Sequence, residues 1–475
     1  MDIENFLLAD KSMIIAPAGY GKTYTIAECI ATYQGNKKVL VLTHTHAGVA
    51  SLKEKFEQKQ ISSSTYHLET ICSFALNLTT LYHINKDEIP SSSDPNALFR
   101  FAVEHAIKIL KAKPIKKYLS IQYEHLIVDE YQDCTVNQHQ MIMALADTLK
   151  THILGDPLQG IFGFRNESIV NFADVSFAPF NENCQALETP WRWENVGKTT
   201  LGQELSSIRS KLISSIAIDL NDYHEIKVVI APENDYAIAR TTYKNEIYRA
   251  LRDNSVLLIH PTSESIEARV KFIQQFPMLK MIESIDDKIF YSSCTLFDNT
   301  SGYSLISNIV NLMRKIGTKS KIDIWFNEAG HLKNKRGAED QQTRSNLETI
   351  ITTLLTRKSY SNIILLIEAI EKLPDVKIYR KDFLHDLCKS LKEADRLGIS
   401  AAEAIERNRN SLRRKGRKIQ GKGIGTTLLT KGLEFDTVVV LNAHRFTDKR
   451  HLYVALTRCC KQLIIISNSN ILNPY

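Results

Sequence analysis

The chain has 475 residues, of which 43% are hydrophobic and 24% charged, with a net charge of +7. These values describe a globular chain long enough for more than one domain, and they exclude a disordered or fibrous one. No apolar run approaches the roughly 20 residues that span a bilayer, so no membrane role is expected. The excess of positive charge favours a polyanionic partner. The start, MDIENFLLADKS, is acidic early and lacks the basic start of a signal peptide. Cysteines at 29, 72, 134, 184, 294, 388, 459 and 460 form no C-x-x-C pair, so neither zinc nor an iron–sulfur cluster is expected. A reducing, cytoplasmic location follows as the default expectation.

Met13-Ile14-Ile15 is a short apolar run that predicts a strand. A turn of small residues follows, Ala16-Pro17-Ala18-Gly19-Tyr20-Gly21, then Lys22, Thr23 and a helical pattern from Tyr24. Strand, small-residue loop and helix start form the geometry that cradles nucleotide phosphates. Glycines let successive N–H groups turn toward the anion, and the helix N-terminus adds favourable partial charge. Lys22 supplies a cation for the β and γ phosphates, and Thr23 a hydroxyl for Mg²⁺. The strict pattern has Gly where Ala16 stands.

Residues 38–42 predict a second buried strand, ending in Thr43-His44-Thr45-His46 before a helix over 47–59. Thr65-Tyr66-His67 leads an amphipathic segment through Leu78, and 86–96 reads as a turn-rich connection. Phe99 to Lys117 predicts one helix with a basic face. His125 to Val128 predicts a buried strand that ends in Asp129 and Glu130. At that strand tip Asp129 can hold Mg²⁺ through water, and Glu130 can orient and deprotonate an attacking water. A helix over 136–149 and a strand at 152–154 lead to Gly155-Asp156-Pro157-Leu158-Gln159. Gln159 can sense the γ-phosphate or the water. Phe162, Phe164 and Arg165 offer flat faces and a cation to unpaired bases, with packing in the core as the alternative for the phenylalanines. In Thr189-Pro190-Trp191-Arg192-Trp193, Trp191 can stack on adenine and Arg192 can reach a phosphate.

Strands at 226–230 and 256–259, with a helix over 263–275, indicate a second α/β unit. Residues 301–420 read as helices, ending in a run from Arg407 to Lys422 with eight Lys or Arg in 16 residues. That run is either a solvated linker or a strip that tracks phosphates, and the second reading is preferred. Strand character returns at 437–441 and 462–467, with Cys459 and Cys460 placed on the helix that carries Arg458.

The order of these motifs resembles the UvrD/Rep/PcrA group of superfamily 1 DNA helicases. The resemblance rests on Ala16-Pro17-Ala18-Gly19-Tyr20-Gly21-Lys22-Thr23, Val128 to Asp133, Gly155 to Gln159, Lys431-Gly432-Leu433-Glu434-Phe435 and Tyr453-Val454-Ala455-Leu456-Thr457-Arg458. The group also has Ala where Ala16 stands. The resemblance implies an α/β fold of two RecA-like parallel-sheet domains, with a small insertion in the first and a mostly helical one in the second. On this chain that places the first domain at 1–190 with an insertion near 68–122. The second takes 191–300 and 421–475, with 301–420 inserted.

The resemblance further implies ATP and Mg²⁺ as cofactors, and movement 3′ to 5′ on single-stranded DNA or a tailed duplex. It gives ATP contacts to residues 16–24, Trp191 and Glu434, with Glu434 on the ribose and Thr23 and Asp129 at the metal. Lys22, Asp129, Glu130, Gln159, Arg192 and Arg458 become the catalytic set, with the two arginines as fingers. DNA contacts fall to His44, Tyr66, His67, Phe162, Phe164 and Arg165. DNA repair and anti-phage defence are the settings it suggests, because short members include helicase subunits of systems such as Gabija that work with a nuclease partner. An ATP-gated nucleic-acid sensor that does not unwind is the alternative. The chain departs from the group where Thr43 to Ala47 and Leu428 to Thr430 stand, and it shows no Gln ahead of the phosphate loop.

Overall fold

The computed structural model describes residues 2–90, 95–161, 168–261, 266–283, 288–415 and 421–475. The chain divides into two compact units. One comprises Met1–Ser263, Lys415–Gly421 and Thr426–Tyr475; the other comprises Glu264–Arg414 and Lys422–Gly425.

The larger unit is built on two parallel sheets. The strands of the first are β1 (Lys11–Ile15), β2 (Lys38–Thr43), β3 (Tyr66–Thr70), β4 (Tyr123–Val128), β5 (Lys150–Gly155) and β6 (Cys184–Ala186), in the order β3-β2-β4-β5-β1-β6. Successive side chains of a strand point to opposite faces, and helices cover both faces of this sheet. Val39 and Val41 therefore join Ile14, Ile26, Phe56 and Leu154 in one core. Leu40 and Leu42 join Met13, Leu126, Val128 and Ile153 in the other. A strand buried on both faces reads as an unbroken apolar run, which is why β2 and β4 were legible.

In the second sheet of this unit, Val256–His260, Phe435–Val440, Cys459–Ser467 and Lys227–Ile230 lie side by side, all parallel. The two sheets are the α/β, RecA-like parallel-sheet pair expected from the motifs. Both place their strand C-termini where ligands bind in such folds.

The smaller unit is mostly helical. Helices Gly302–Ile316, Ala338–Thr356, Tyr360–Glu371 and Lys381–Leu397 surround a core that includes Ile309, Trp325, Leu347, Ile367 and Leu387. Asp298 seats the next helix, Ala401–Lys415. Its carboxylate accepts from Ala401 N at 2.9 Å and Ala402 N at 3.0 Å, and from the Tyr360 hydroxyl at 2.6 Å. Those are N–H groups that a helix leaves unpaired at its start.

Several local expectations change. The helix expected over 99–117 is two, Pro95–Leu110 and Lys113–Gln122. Pro114 lies in the first turn of the second, where its missing N–H costs nothing, and it disfavours helix in the residue before it. Thr65 to Leu78 is not one amphipathic segment, because β3 pairs with β2 before helix Ile71–Tyr82 begins. Cys459 and Cys460 are not helical: helix Lys449–Leu456 ends first, and both open a strand.

Candidate nucleotide site and its relatives

The phosphate loop joins β1 to helix Lys22–Thr32. Gly19 and Gly21 have φ of +80° and +87°, a region costly for residues with a Cβ. Space is also short. A Cβ on Gly19 would lie 2.9 Å from the Trp193 ring and 3.0 Å from Arg192 Cβ, and one on Gly21 would lie 3.2 Å from Trp191. Ala16 has no positive φ and is fully buried, so a methyl is accepted where the strict pattern has glycine. Its N–H donates to Gly155 O at 2.9 Å, tying the loop to the end of β5.

Lys22 Nζ lies 3.2 Å from Asp129 Oδ1 and also pairs with Glu130. Burial opposes the ammonium charge, but the two carboxylates outweigh it and raise the Lys22 pKa. The carboxylates divide. Burial pushes Asp129 upward despite Lys22. Burial acts on Glu130 in the same sense, yet Lys22 and then Lys431 overcome it and hold Glu130 down at about 2. Glu130 thus stays ionised beside the cation. It also has φ +54°, an uncommon backbone for a residue with a side chain, of the kind that gathers at functional sites.

The second sheet's connections bring the other half. Arg192 N–H donates to Gly19 O at 2.9 Å. Arg192 Nη2 donates to Glu434 Oε1 at 2.6 Å, and Nη1 to the Thr457 carbonyl. Arg458, just past helix Lys449–Leu456, is buried and turned back along it, donating to Val454 O at 2.9 Å and Thr457 Oγ1 at 3.1 Å. Burial and then the nearby Arg192 lower its pKa to about 10. Trp191 is 51% exposed beside Gly21, whereas Trp193 is buried with Nε1 donating to Cys459 O at 3.1 Å. Of the two indoles only Trp191 presents a face that a base can cover. Tyr24 is exposed, with Lys59 Nζ 4.0 Å from its ring centre. Gln159 is buried, and its Nε2 donates to Asp156 Oδ2 at 3.1 Å.

Two residues inside the quoted motifs carry more than sequence reasoning gave them. Lys431 Nζ reaches Asp133 Oδ1 at 2.6 Å, Oδ2 at 2.5 Å and Gln159 O at 2.6 Å. Burial acts on both partners toward neutrality, lifting Asp133 to about 7 and lowering Lys431. Nothing local announces a contact between residues 298 positions apart.

The residues expected at DNA sit as follows. His44 Nε2 contacts Cys134 Sγ at 3.3 Å, and burial followed by the charge of Lys431 keeps its pKa near 3. His67 Nδ1 meets the Tyr123 hydroxyl at 2.5 Å and Nε2 meets Glu69 at 3.0 Å. Tyr66 packs edge-on against Phe56. Phe162, Phe164 and Arg165 lie outside the described residues, as does part of the basic run after Arg407.

The site fits Mg²⁺ and a triphosphate. Thr23 at the start of helix Lys22–Thr32 and Asp129 at the tip of β4 could offer a hydroxyl and a carboxylate, hard oxygens of the kind Mg²⁺ takes, and the loop's N–H groups precede a helix N-terminus, which suits an anion. No group of three or more His, Cys, Asp or Glu is gathered for a metal among the described residues, and no helix there is long and apolar enough to cross a membrane.

Residues 3–165 match a family model described as an AAA domain. Gabija protein GajB of Bacillus cereus is 24% identical over 402 residues, covering 81% of this chain and 71% of that protein. RecBCD enzyme subunit RecB of Buchnera aphidicola is 31% identical over 86 residues, which is 18% of this chain and 7% of that protein. The Pif1 helicase structure from Candida albicans aligns over 99% of this chain and 95% of its own at 12% identity, with a TM-score of 0.42. The quoted motifs lie on the two parallel sheets, the AAA model covers those of the first, and the chain is similar over most of its length to a Gabija protein.

Proposed function

We propose that the protein is an ATP-driven motor on single-stranded DNA, a 3′-to-5′ translocase or helicase acting in anti-phage defence or repair. One observation carries this reading. Residues tied to both sheets gather around the phosphate loop: Lys22 pairs with Asp129 and Glu130, Arg192 and Tyr453 bond the loop backbone at Gly19 and Ala18, and Lys431 reaches Asp133 and Gln159 beyond it. Phosphoryl transfer asks for positioning and charge neutralisation more than covalent chemistry, and this set supplies both.

Lys22, Arg192 and Arg458 neutralise the transferring group. Glu130 takes the proton of water that Gln159 orients. Thr23 and Asp129 would hold Mg²⁺, which supplies further neutralisation of the phosphates. Each cation already has a protein acceptor: Lys22 its two acids, Arg192 Glu434 and Thr457, Arg458 the Val454 carbonyl of the preceding helix. Binding of the triphosphate must win them from these partners, which couples occupancy to the approach of the two sheets. His67 and the basic run grip the strand, with Phe164 and Arg165 stacking and pairing on it.

The decisive measurement is the ATPase rate with and without single-stranded DNA. Stimulation of tenfold or more is expected, and a rate indifferent to DNA removes the motor half. The GajB likeness favours a second reading, an ATP-gated sensing subunit of a defence complex with a nuclease or other protein partner. Unwinding of a 3′-tailed duplex, with Glu130→Gln as control, separates them: ATP turnover and DNA binding without unwinding favours the sensor.

A further inference from the structure

Helix Thr199–Ile213 holds none of the motifs, yet its Arg209 reaches the centre of the site. Arg209 Nη2 donates to Asp156 Oδ1 at 2.9 Å, and the Tyr453 hydroxyl lies near its guanidinium. Asp156 is fully buried, and each of its oxygens is used. Oδ1 also accepts from Leu158 N at 3.2 Å, and Oδ2 accepts from Gln159 Nε2 at 3.1 Å. Its backbone N–H donates to Gln132 Oε1 at 3.0 Å, and Gln132 Nε2 donates to Glu130. Gly155 makes that possible, since a Cβ there would lie 2.7 Å from Gln132 Oε1. On the other side, the Tyr453 hydroxyl accepts from Ala18 N in the phosphate loop at 3.3 Å.

Arg209 thus lies where two polar branches approach each other, hydrogen-bonded to the first and beside the second. One runs through Asp156 to Gln159 and, by way of Gln132, to Glu130. The other runs through Tyr453 to the phosphate loop. Burial works against the guanidinium charge, and Asp156 together with the nearby Tyr453 more than offsets it. A planar fork with several fixed donors can serve a carboxylate and a hydroxyl at once; an ammonium is a single compact donor. We propose that Arg209 is a positioning residue that sets the orientation of Gln159 and Glu130 relative to the phosphate loop through Asp156 and Tyr453. It touches no substrate, and the proposal rests on the ATPase reading above.

A residue that aims the water-positioning groups lowers kcat when removed and leaves ground-state binding of ATP alone. Steady-state hydrolysis is measured for wild type, Arg209→Gln, Arg209→Lys and Tyr453→Phe, with thermal midpoints beside it. Arg209→Gln is expected to lower kcat tenfold or more with KM for ATP within twofold. Arg209→Lys is expected to recover a third or more of that loss on a logarithmic scale. Where Arg209→Gln does not fold, Tyr453→Phe decides. It removes one hydroxyl and no charge, and a threefold or greater fall in kcat at constant KM is expected.

Unchanged kcat in a folded Arg209→Gln, a KM rise equal to the kcat fall, or losses that track the thermal midpoints across the series would each overturn the proposal. A wild type that hydrolyses no ATP sinks the ATPase reading and this inference with it. Wild-type turnover abolished by Glu130→Gln but indifferent to Arg209 sinks the inference alone.

Discussion

The first sheet buries polar side chains at both of its ends and treats them in opposite ways. Beyond the C-terminal ends of β1 and β4 lie Lys22, Asp129 and Glu130, paired as ions. Toward the N-terminal ends of β1, β5 and β4 lie Ser12, His152 and His125, a chain with contacts of 2.7 and 2.8 Å. Burial holds both histidines low and therefore neutral. Isolated buried charge is expensive, so a sheet keeps it where something must be bound and elsewhere saturates its polar groups without it. The same strands, with similar cores on either face, thus have a working end and a resting end.

The sharpest way to break this contrast is at the working end. Glu130→Gln keeps the size and hydrogen-bonding reach of the side chain and removes its basicity. ATP turnover is expected to fall by about 10²–10⁴. Binding of a fluorescent ATP analogue, followed by equilibrium titration, should persist. Loss of binding together with turnover would make Glu130 a structural partner of Lys22 and no base.

Next in size is the buried pair that Lys431 and Asp133 form, with side chains 6% and 2% exposed. Lys431→Met strands a buried carboxylate, and a loss of about 3–5 kcal/mol is expected from urea denaturation. The double variant Lys431→Met, Asp133→Leu should regain most of it, because neither charge then lacks its partner. A single variant as stable as wild type would show that the pair contributes no stability.

How much of this was readable in the sequence follows from the range over which each feature is determined. The phosphate loop and the Asp129-Glu130 strand tip are written in consecutive residues. An apolar run, then glycines or acids, admits few other geometries. β3 was missed because Tyr-His-Leu-Glu-Thr is an edge strand with a mostly half-buried pattern, created by its register with β2. The strand start at Cys459 was missed because a helix continuing through Arg458 is equally compatible with the local residues. The Phe435 N–H to Arg458 O bond at 3.0 Å, from a strand elsewhere in the chain, decides against it. Trp191 and Trp193 look alike in sequence, and only the packing of Gly19 tells the buried from the exposed one. Arg209 gave no signal at all, since its partner Asp156 lies 53 positions away.

A smaller effect tests the exposed indole. If Trp191 covers a base, Trp191→Ala should raise KM for ATP about twofold to twelvefold, from an aromatic contact worth about 0.5–1.5 kcal/mol. Trp191→Tyr should restore it, with kcat altered little in either. An unmoved KM would take the base elsewhere.

The smallest effect belongs to the resting end and is a matter of slope. Ser12 donates its one hydroxyl proton to Phe6 O at 3.0 Å, so its oxygen accepts from His152 Nδ1–H. His152 Nε2 must then accept from His125 Nδ1–H. A second proton on His152 would point an N–H at an N–H, so the folded chain resists protonation there. Its folded pKa lies well below the unfolded value near 6.5. Below about pH 6.5 the unfolded chain therefore binds more protons, and stability rises with pH through that window and flattens above it. Urea midpoints at pH 5.0 and 7.5 should differ less for His152→Asn than for wild type, since Asn titrates at neither and still offers a donor and an acceptor. An equal difference in the two proteins would mean that the acid sensitivity of this layer arises elsewhere, with the buried pairs at the working end as the next place to look.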